Sequence, residues 1–171
     1  MRASSRSAWP RPACRWRLSI RARFANSPRR WLLGDEEPLC RTAGREAEAY
    51  RFVWRSSFDG NATVRIGRQG NEVVLQWRYD HWLRAPAAPA GAALSAGDWV
   101  RFRETLIAAN FWAVDPADEL QGLDGAQWLI EGRRGNVYRA VSRWSPQGEL
   151  HALGRLFFIL AGPPLSKVKL Y

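Results

Sequence analysis

Residues Gly122–Pro146, GLDGAQWLIEGRRGNVYRAVSRWSP, hold a turn, two strand patterns and a helix start in one continuous run. Asp124-Gly125 is turn chemistry, because an Asp side chain bonds its own backbone and Gly accepts dihedrals that other residues resist. Gln127–Glu131 and Val137–Trp144 read as two strands joined through Gly132–Asn136. Trp128 and Ile130 share a face with Val137 and Val141, while Leu129, Tyr138, Ala140 and Trp144 make the other face apolar as well. Apolarity on both sides marks strands at the centre of a sheet, or strands whose second face is covered. Ser145-Pro146 then reads as a helix start, with Ser as the cap, Pro in the first position and Glu149 in the first turn. Leu150, Leu153, Phe157 and Leu160 form its apolar side, and Gly162-Pro163-Pro164 stops it.

Working back towards the N-terminus, Tyr50, Phe52 and Trp54 alternate with Arg51, Val53 and Arg55, the period of a strand with one buried face. A three-residue loop at Asp59-Gly60-Asn61 keeps Trp54 on the same side as Val64 and Ile66, whereas a two-residue loop would separate them. A second turn near Gln69-Gly70-Asn71 leads to a third strand carrying Val73, Leu75, Trp77 and Tyr79 on that side. Residues 85–94, APAAPAGAAL, read as an unstructured connector. Ser95 and Asp98 then have the spacing of a capping box, and Trp99, Phe102, Leu106 and Ala109 form the stripe of a helix ending near Phe111. The expected fold is α+β: an antiparallel sheet of about five strands in the order βββ-α-ββ-α, with two helices on one face.

The aromatic strand ending Trp54-Arg55-Ser56-Ser57-Phe58, the Asn110-Phe111-Trp112 after the first helix, and the GLDGxxW…EG…Y…RWSP pattern from Gly122 resemble a group of small bacterial proteins of unknown function. The resemblance spans about residues 50–162 and implies no activity. Arg139, after Tyr138, stands where that group often has a histidine.

Charge is distributed unevenly. Residues 1–34 hold nine arginines (2, 6, 11, 15, 17, 21, 23, 29 and 30) and no Asp or Glu, so they carry nine of the ten net positive charges. Trp9, Trp16, Ile20, Phe24 and Trp31 lie among them without a steady period. Residues 1–44 are therefore expected to be a basic, disordered extension, 45–164 the single α+β domain and 165–171 a tail. The extension also fits a transit peptide or an over-extended start of the reading frame. Trp31-Leu32-Leu33-Gly34 is too short for the apolar stretch of a secretory signal, and no transmembrane segment is visible, so a cytoplasmic location is expected. Cys14 and Cys40 are too few for a metal cage and neither has a neighbouring His. No cofactor is expected.

Chemistry-bearing motifs are sparse. Arg51, Arg55, Arg65 and Arg78 fall on the polar face of the first three strands with Asp80. They form either a candidate interaction surface for protein or phosphate, or a solvated sheet face whose arginine stems cover apolar surface. Asp115, Asp118, Glu119 and Asp124 lack the alternating positions and closing Glu of a calcium loop. His81 sits beside Asp80, but adjacent strand residues point to opposite faces, and no nucleophile elbow or phosphate loop occurs. A catalytic reading would require a pocket that gathers Asp124, Glu131 and His81. The expected function is that of a non-catalytic binding or interaction module, with a protein as the partner considered. The alternatives are nucleic-acid or anionic-surface binding through residues 1–34, and an enzyme of unknown class.

Overall fold

Alternation of rings with polar residues makes Glu48–Ser56 a strand, β1, and everything else is arranged about it. The computed structural model describes residues 38–41, 46–81, 90–117 and 122–171. β2 (Gly60–Gln69) and β3 (Glu72–His81) follow as a meander, then β4 (Ala90–Ala93), helix α1 (Ala96–Ala108), β5 (Ala126–Arg134), β6 (Val137–Trp144), helix α2 (Gly148–Ala161) and a short 3-10 turn at Leu165–Lys167. The strands form one antiparallel sheet in the order β4-β3-β2-β1-β5-β6. The sheet has six strands rather than the expected five, because Ala90–Ala93, inside the expected connector, pairs along β3. Four small residues give no periodic signal, so only the backbone pairing reveals this strand.

The first hairpin keeps the expected facing, but its loop is Ser57–Asp59 rather than Asp59–Asn61. Ser56 Oγ accepts hydrogen bonds from the amides of Phe58 at 3.0 Å and Asp59 at 3.1 Å, which turns the chain early. The β2–β3 and β5–β6 hairpins both turn on Gly-Asn, at Gly70-Asn71 and Gly135-Asn136. Both glycines have positive φ (59° and 52°), the conformation that a two-residue hairpin asks of its first turn residue. The second of these turns lets β5 run to Arg134, past its expected end at Glu131.

Both helices cover the face that carries Tyr50, Phe52, Trp54, Val64, Ile66, Leu75, Trp128 and Ile130. From α1 come Trp99, Phe102 and Leu106, and from α2 come Leu153, Phe157 and Phe158. Phe52 meets Trp128 at 4.8 Å between ring centroids and Phe102 meets Phe157 edge-on at 5.1 Å, so the two helices and two central strands close on each other. Burying each such phenyl ring stabilises the fold by roughly 2–3 kcal/mol relative to exposure.

Helix α1 begins as expected. Ser95 Oγ accepts from the Asp98 amide at 3.1 Å while Asp98 Oδ2 accepts from the Ser95 amide at 3.1 Å. Helix α2 begins later than expected, at Gly148 with Gln147 as its N-cap. Ser145 is not the cap: its Oγ accepts from the Ala126 amide at 2.9 Å, tying the end of β6 to the start of β5. Residues 165–171, expected as a tail, are packed against the domain. Leu165 and Leu170 enter the main core, the Trp128 indole donates to the Tyr171 carbonyl at 3.0 Å, and Arg155 donates to the carbonyls of Ser166 and Val168. Among the described residues no helix is long and apolar enough to cross a membrane.

Candidate functional site

The second face of the sheet carries a smaller apolar cluster, Val53, Leu129 and Ala140 with Tyr138 against it, and the buried polar residues Arg51, Glu131, Arg133 and Ser142. Arg51 on β1 lies directly opposite Glu131 on β5. Arg51 Nε donates to Glu131 Oε2 at 2.7 Å, and its Nη2 donates to the same oxygen. The other oxygen, Oε1, accepts from the Tyr138 hydroxyl at 2.6 Å and from the Leu39 amide at 3.4 Å. Leu39 and Cys40 are buried, so Pro38–Arg41 packs on this face. The carboxylate receives four donors, so its lone pairs are taken up within the fold. The geometry defines a buried ion pair that anchors a chain segment.

The other arginines of the expected surface differ in their surroundings. Arg65 Nη2 donates to Glu46 Oε2 at 2.9 Å, and Arg133 reaches the same carboxylate oxygen at 3.7 Å. Arg55 is half-buried. Arg78 is exposed and lies 3.4 Å from Asp80 in a loose surface pair. Thus Arg51, Arg55, Arg65 and Arg78 share a face, but Arg51 is only 2% exposed and is not presented to a partner.

Asp124, Glu131 and His81 do not converge. Glu131 shares a cross-strand row with Gln76, three strands away, and His81 lies five residues further along β3, giving a separation of about 20 Å. Asp124 is exposed in the turn before β5 and lies more than about 15 Å along the strand from Glu131. His81 packs edge-on to Tyr79 at 5.9 Å, and His151 lies 5.7 Å from Trp128. Among the described residues no group of three His, Cys, Asp or Glu is placed to hold a metal ion. Asp118, Glu119, Cys14 and the nine arginines of residues 1–34 lie outside the described residues.

Two clusters were not anticipated from the sequence, and they occupy opposite ends of β1. At its C-terminal end, the amide of Ser57 donates to the Gly125 carbonyl at 2.9 Å and its hydroxyl to the Leu123 carbonyl at 3.4 Å, tying two loops together. Gly122 and Gly125 pack beneath the Trp144 indole, where an added Cβ on Gly122 would stand 2.4 Å from Nε1. The turn thus fixed presents Leu123 at 96% exposure and leaves Phe58 52% exposed beside the Tyr171 ring, 5.6 Å away. Desolvation, then the Asp59 carboxylate, raises the Tyr171 hydroxyl above its ordinary pKa.

At the N-terminal end of β1, Glu48 sits in one cross-strand row between Arg68 of β2 and Arg134 of β5. Arg68 lies over Trp99 at 5.6 Å and Arg134 over Trp112 at 5.2 Å. Tyr50 stands between the two indoles, 6.1 and 6.2 Å from them, and its hydroxyl donates to Glu48 at 3.0 Å. Burial pushes the Tyr50 phenol up to about 12. The signal in the sequence was the pair of tryptophans flanking the first helix, which as a stripe reads only as core.

Comparison with protein-family models and with curated proteins returned no match for this chain.

Proposed function

We propose that this chain is a non-catalytic binding module that contacts a protein partner through the corner formed by Phe58, Leu123 and Tyr171. The observation that carries this reading is Leu123, an almost fully exposed leucine on a turn held by two hydrogen bonds and packed glycines. Scattered apolar residues on flexible loops are ordinary, but a pre-positioned apolar side chain loses little conformational freedom when it enters a pocket. Asp59 and Asp124 flank the corner, so the matching surface is an apolar pocket with a basic rim. Arg51 pairs with Glu131 and Arg65 with Glu46, while Asp124, Glu131 and His81 stand far apart, which supports binding over catalysis.

The test is a photo-reactive amino acid at position 123 in the full chain, expressed in its native cell, with position 74 as an exposed apolar control. One discrete protein cross-linked from 123 and not from 74 is expected; equal labelling, or none from 123, overturns the reading.

The second reading, nucleic-acid binding, rests on the nine arginines of residues 1–34 interleaved with tryptophans. Replacing those arginines by glutamine in the full chain should abolish nucleic-acid binding and its salt dependence. Binding that survives with the same salt slope removes this reading.

A further inference from the structure

We propose that the Arg68–Glu48–Arg134 row and the indoles above it form an oxyanion-binding site, taking a phosphate or carboxylate group. The proposal is separate from the protein-binding corner, which lies at the other end of β1.

Donors exceed acceptors at this place. Trp99 Nε1 and Trp112 Nε1 are both buried with no hydrogen-bond partner among the described residues. A buried indole N–H ordinarily finds an acceptor, so each such group requires an account. Trp99 is 6% exposed, which makes its unpaired donor costly in any conformation that leaves it dry. Arg68 uses Nε on the Gly70 carbonyl at 3.0 Å, and neither of its Nη groups has a hydrogen-bond partner among the described residues. Arg134 approaches Glu48 at 3.5 Å and donates to the Tyr50 hydroxyl at 3.3 Å. One carboxylate therefore faces two guanidinium groups, leaving the row with a net charge of +1.

The spacing suits one small anion. Arg68 and Arg134 lie two strands apart, about 10 Å between Cα atoms, with side chains that can converge over β1. Guanidinium forks bind phosphate and carboxylate oxygens bidentately, and stacking on an indole restricts the fork's orientation before the ligand arrives. Arg68 is half-buried and Arg134 is exposed, so both arginines of the row reach solvent. An oxyanion placed there supplies acceptors to the guanidinium groups, and the two unpartnered indole donors belong to the rings on which those groups lie.

The experiment follows the indole N–H signals of the full, uniformly 15N-labelled chain during titration with sodium phosphate at constant ionic strength. A parallel titration uses sodium acetate, and sodium chloride serves as the control. Saturable downfield shifts of the Trp99 and Trp112 signals in the millimolar range are expected, with the buried, unpartnered Trp54 indole unmoved. Saturation by phosphate alone assigns a phosphate ligand; saturation by both anions assigns the shared carboxylate-or-phosphate chemistry. Arg68→Ala should weaken binding at least about tenfold, and Arg68→Lys, which keeps the stem and charge, should weaken it less. Shifts that are absent, that chloride reproduces, or that are unchanged in both variants overturn the proposal.

Discussion

The two faces of the sheet are stabilised by different physics. Under the helices, Phe52, Trp54, Trp128, Phe102, Phe157 and Phe158 pack rings against rings, and stability there follows the apolar area removed from water. On the opposite face Arg51 and Glu131 are buried as those rings are, with Tyr138 half-buried beside them, and stability depends on each polar atom finding its partner. Burial alone is thus a poor guide to what a substitution will do. The ring face tolerates exchange of one apolar group for another of similar volume, whereas the arginine face responds to the loss of a single partner.

The sharpest way to break this contrast is Arg51→Ala, which leaves the Glu131 carboxylate buried without its cation and should cost about 3–5 kcal/mol in chemical denaturation. The double variant Arg51→Met with Glu131→Leu should recover most of that loss, because the pair is removed together; a double variant no better than the single would refute the pairing account. At the margin of the ring face, Tyr50 links the contrast to pH. Its phenol is neutral in the folded chain up to about pH 12 but ionises near 10 when unfolded, so the folded state holds this proton more tightly. That contribution is complete below pH 10 and is lost as pH rises from 10 to 12, on the order of 2–3 kcal/mol. Stability of Tyr50→Phe measured over the same window should fall less steeply than that of the parent chain.

Gly154→Ala probes the ring face itself. A Cβ at that position would meet Trp128 at 2.1 Å, and overpacking of this kind should cost about 1–3 kcal/mol, seen as a lowered denaturation midpoint. The smallest effect is expected at Arg78→Ala, on the arginine face but exposed, with a change within about 0.5 kcal/mol. Arg51 and Arg78 share a face and differ by an order of magnitude in expected cost, and burial of the ion pair accounts for the difference.

Local patterns made much of the ring face legible. Alternation placed Tyr50, Phe52, Trp54, Val64, Ile66 and Leu75 on one side, and the Ser95–Asp98 box located the start of α1. The arginine face was legible only as a set of outward positions. Its central pair joins β1 to β5, and no local period encodes which residue of one strand will stand opposite which residue of another 80 positions away. Leu39 escaped notice for a related reason, since one leucine without neighbours in period carries no strand or helix signal although its amide completes the Glu131 carboxylate. Ser145 misled because a Ser-Pro pair has the form of a helix cap, while its hydroxyl was taken by the Ala126 amide from a distant turn. The Trp99 and Trp112 cluster needed the β2-β1-β5 row to bring arginines over it, and that row exists only in the assembled sheet.

Strand order also bears on how the molecule assembles in time. The β2–β3 and β5–β6 hairpins each close through a two-residue turn and need almost no chain to be gathered, so both can form within microseconds. β1 is the seam between them, hydrogen-bonded to its sequence neighbour on one side and to a strand from the far half of the chain on the other. Joining that second side closes a long loop before its contacts stabilise anything, so the β1–β5 seam is expected to form after the two hairpins. Until it closes, the row of amides and carbonyls along β1 is an unpaired edge, the kind of edge on which another chain can add a strand.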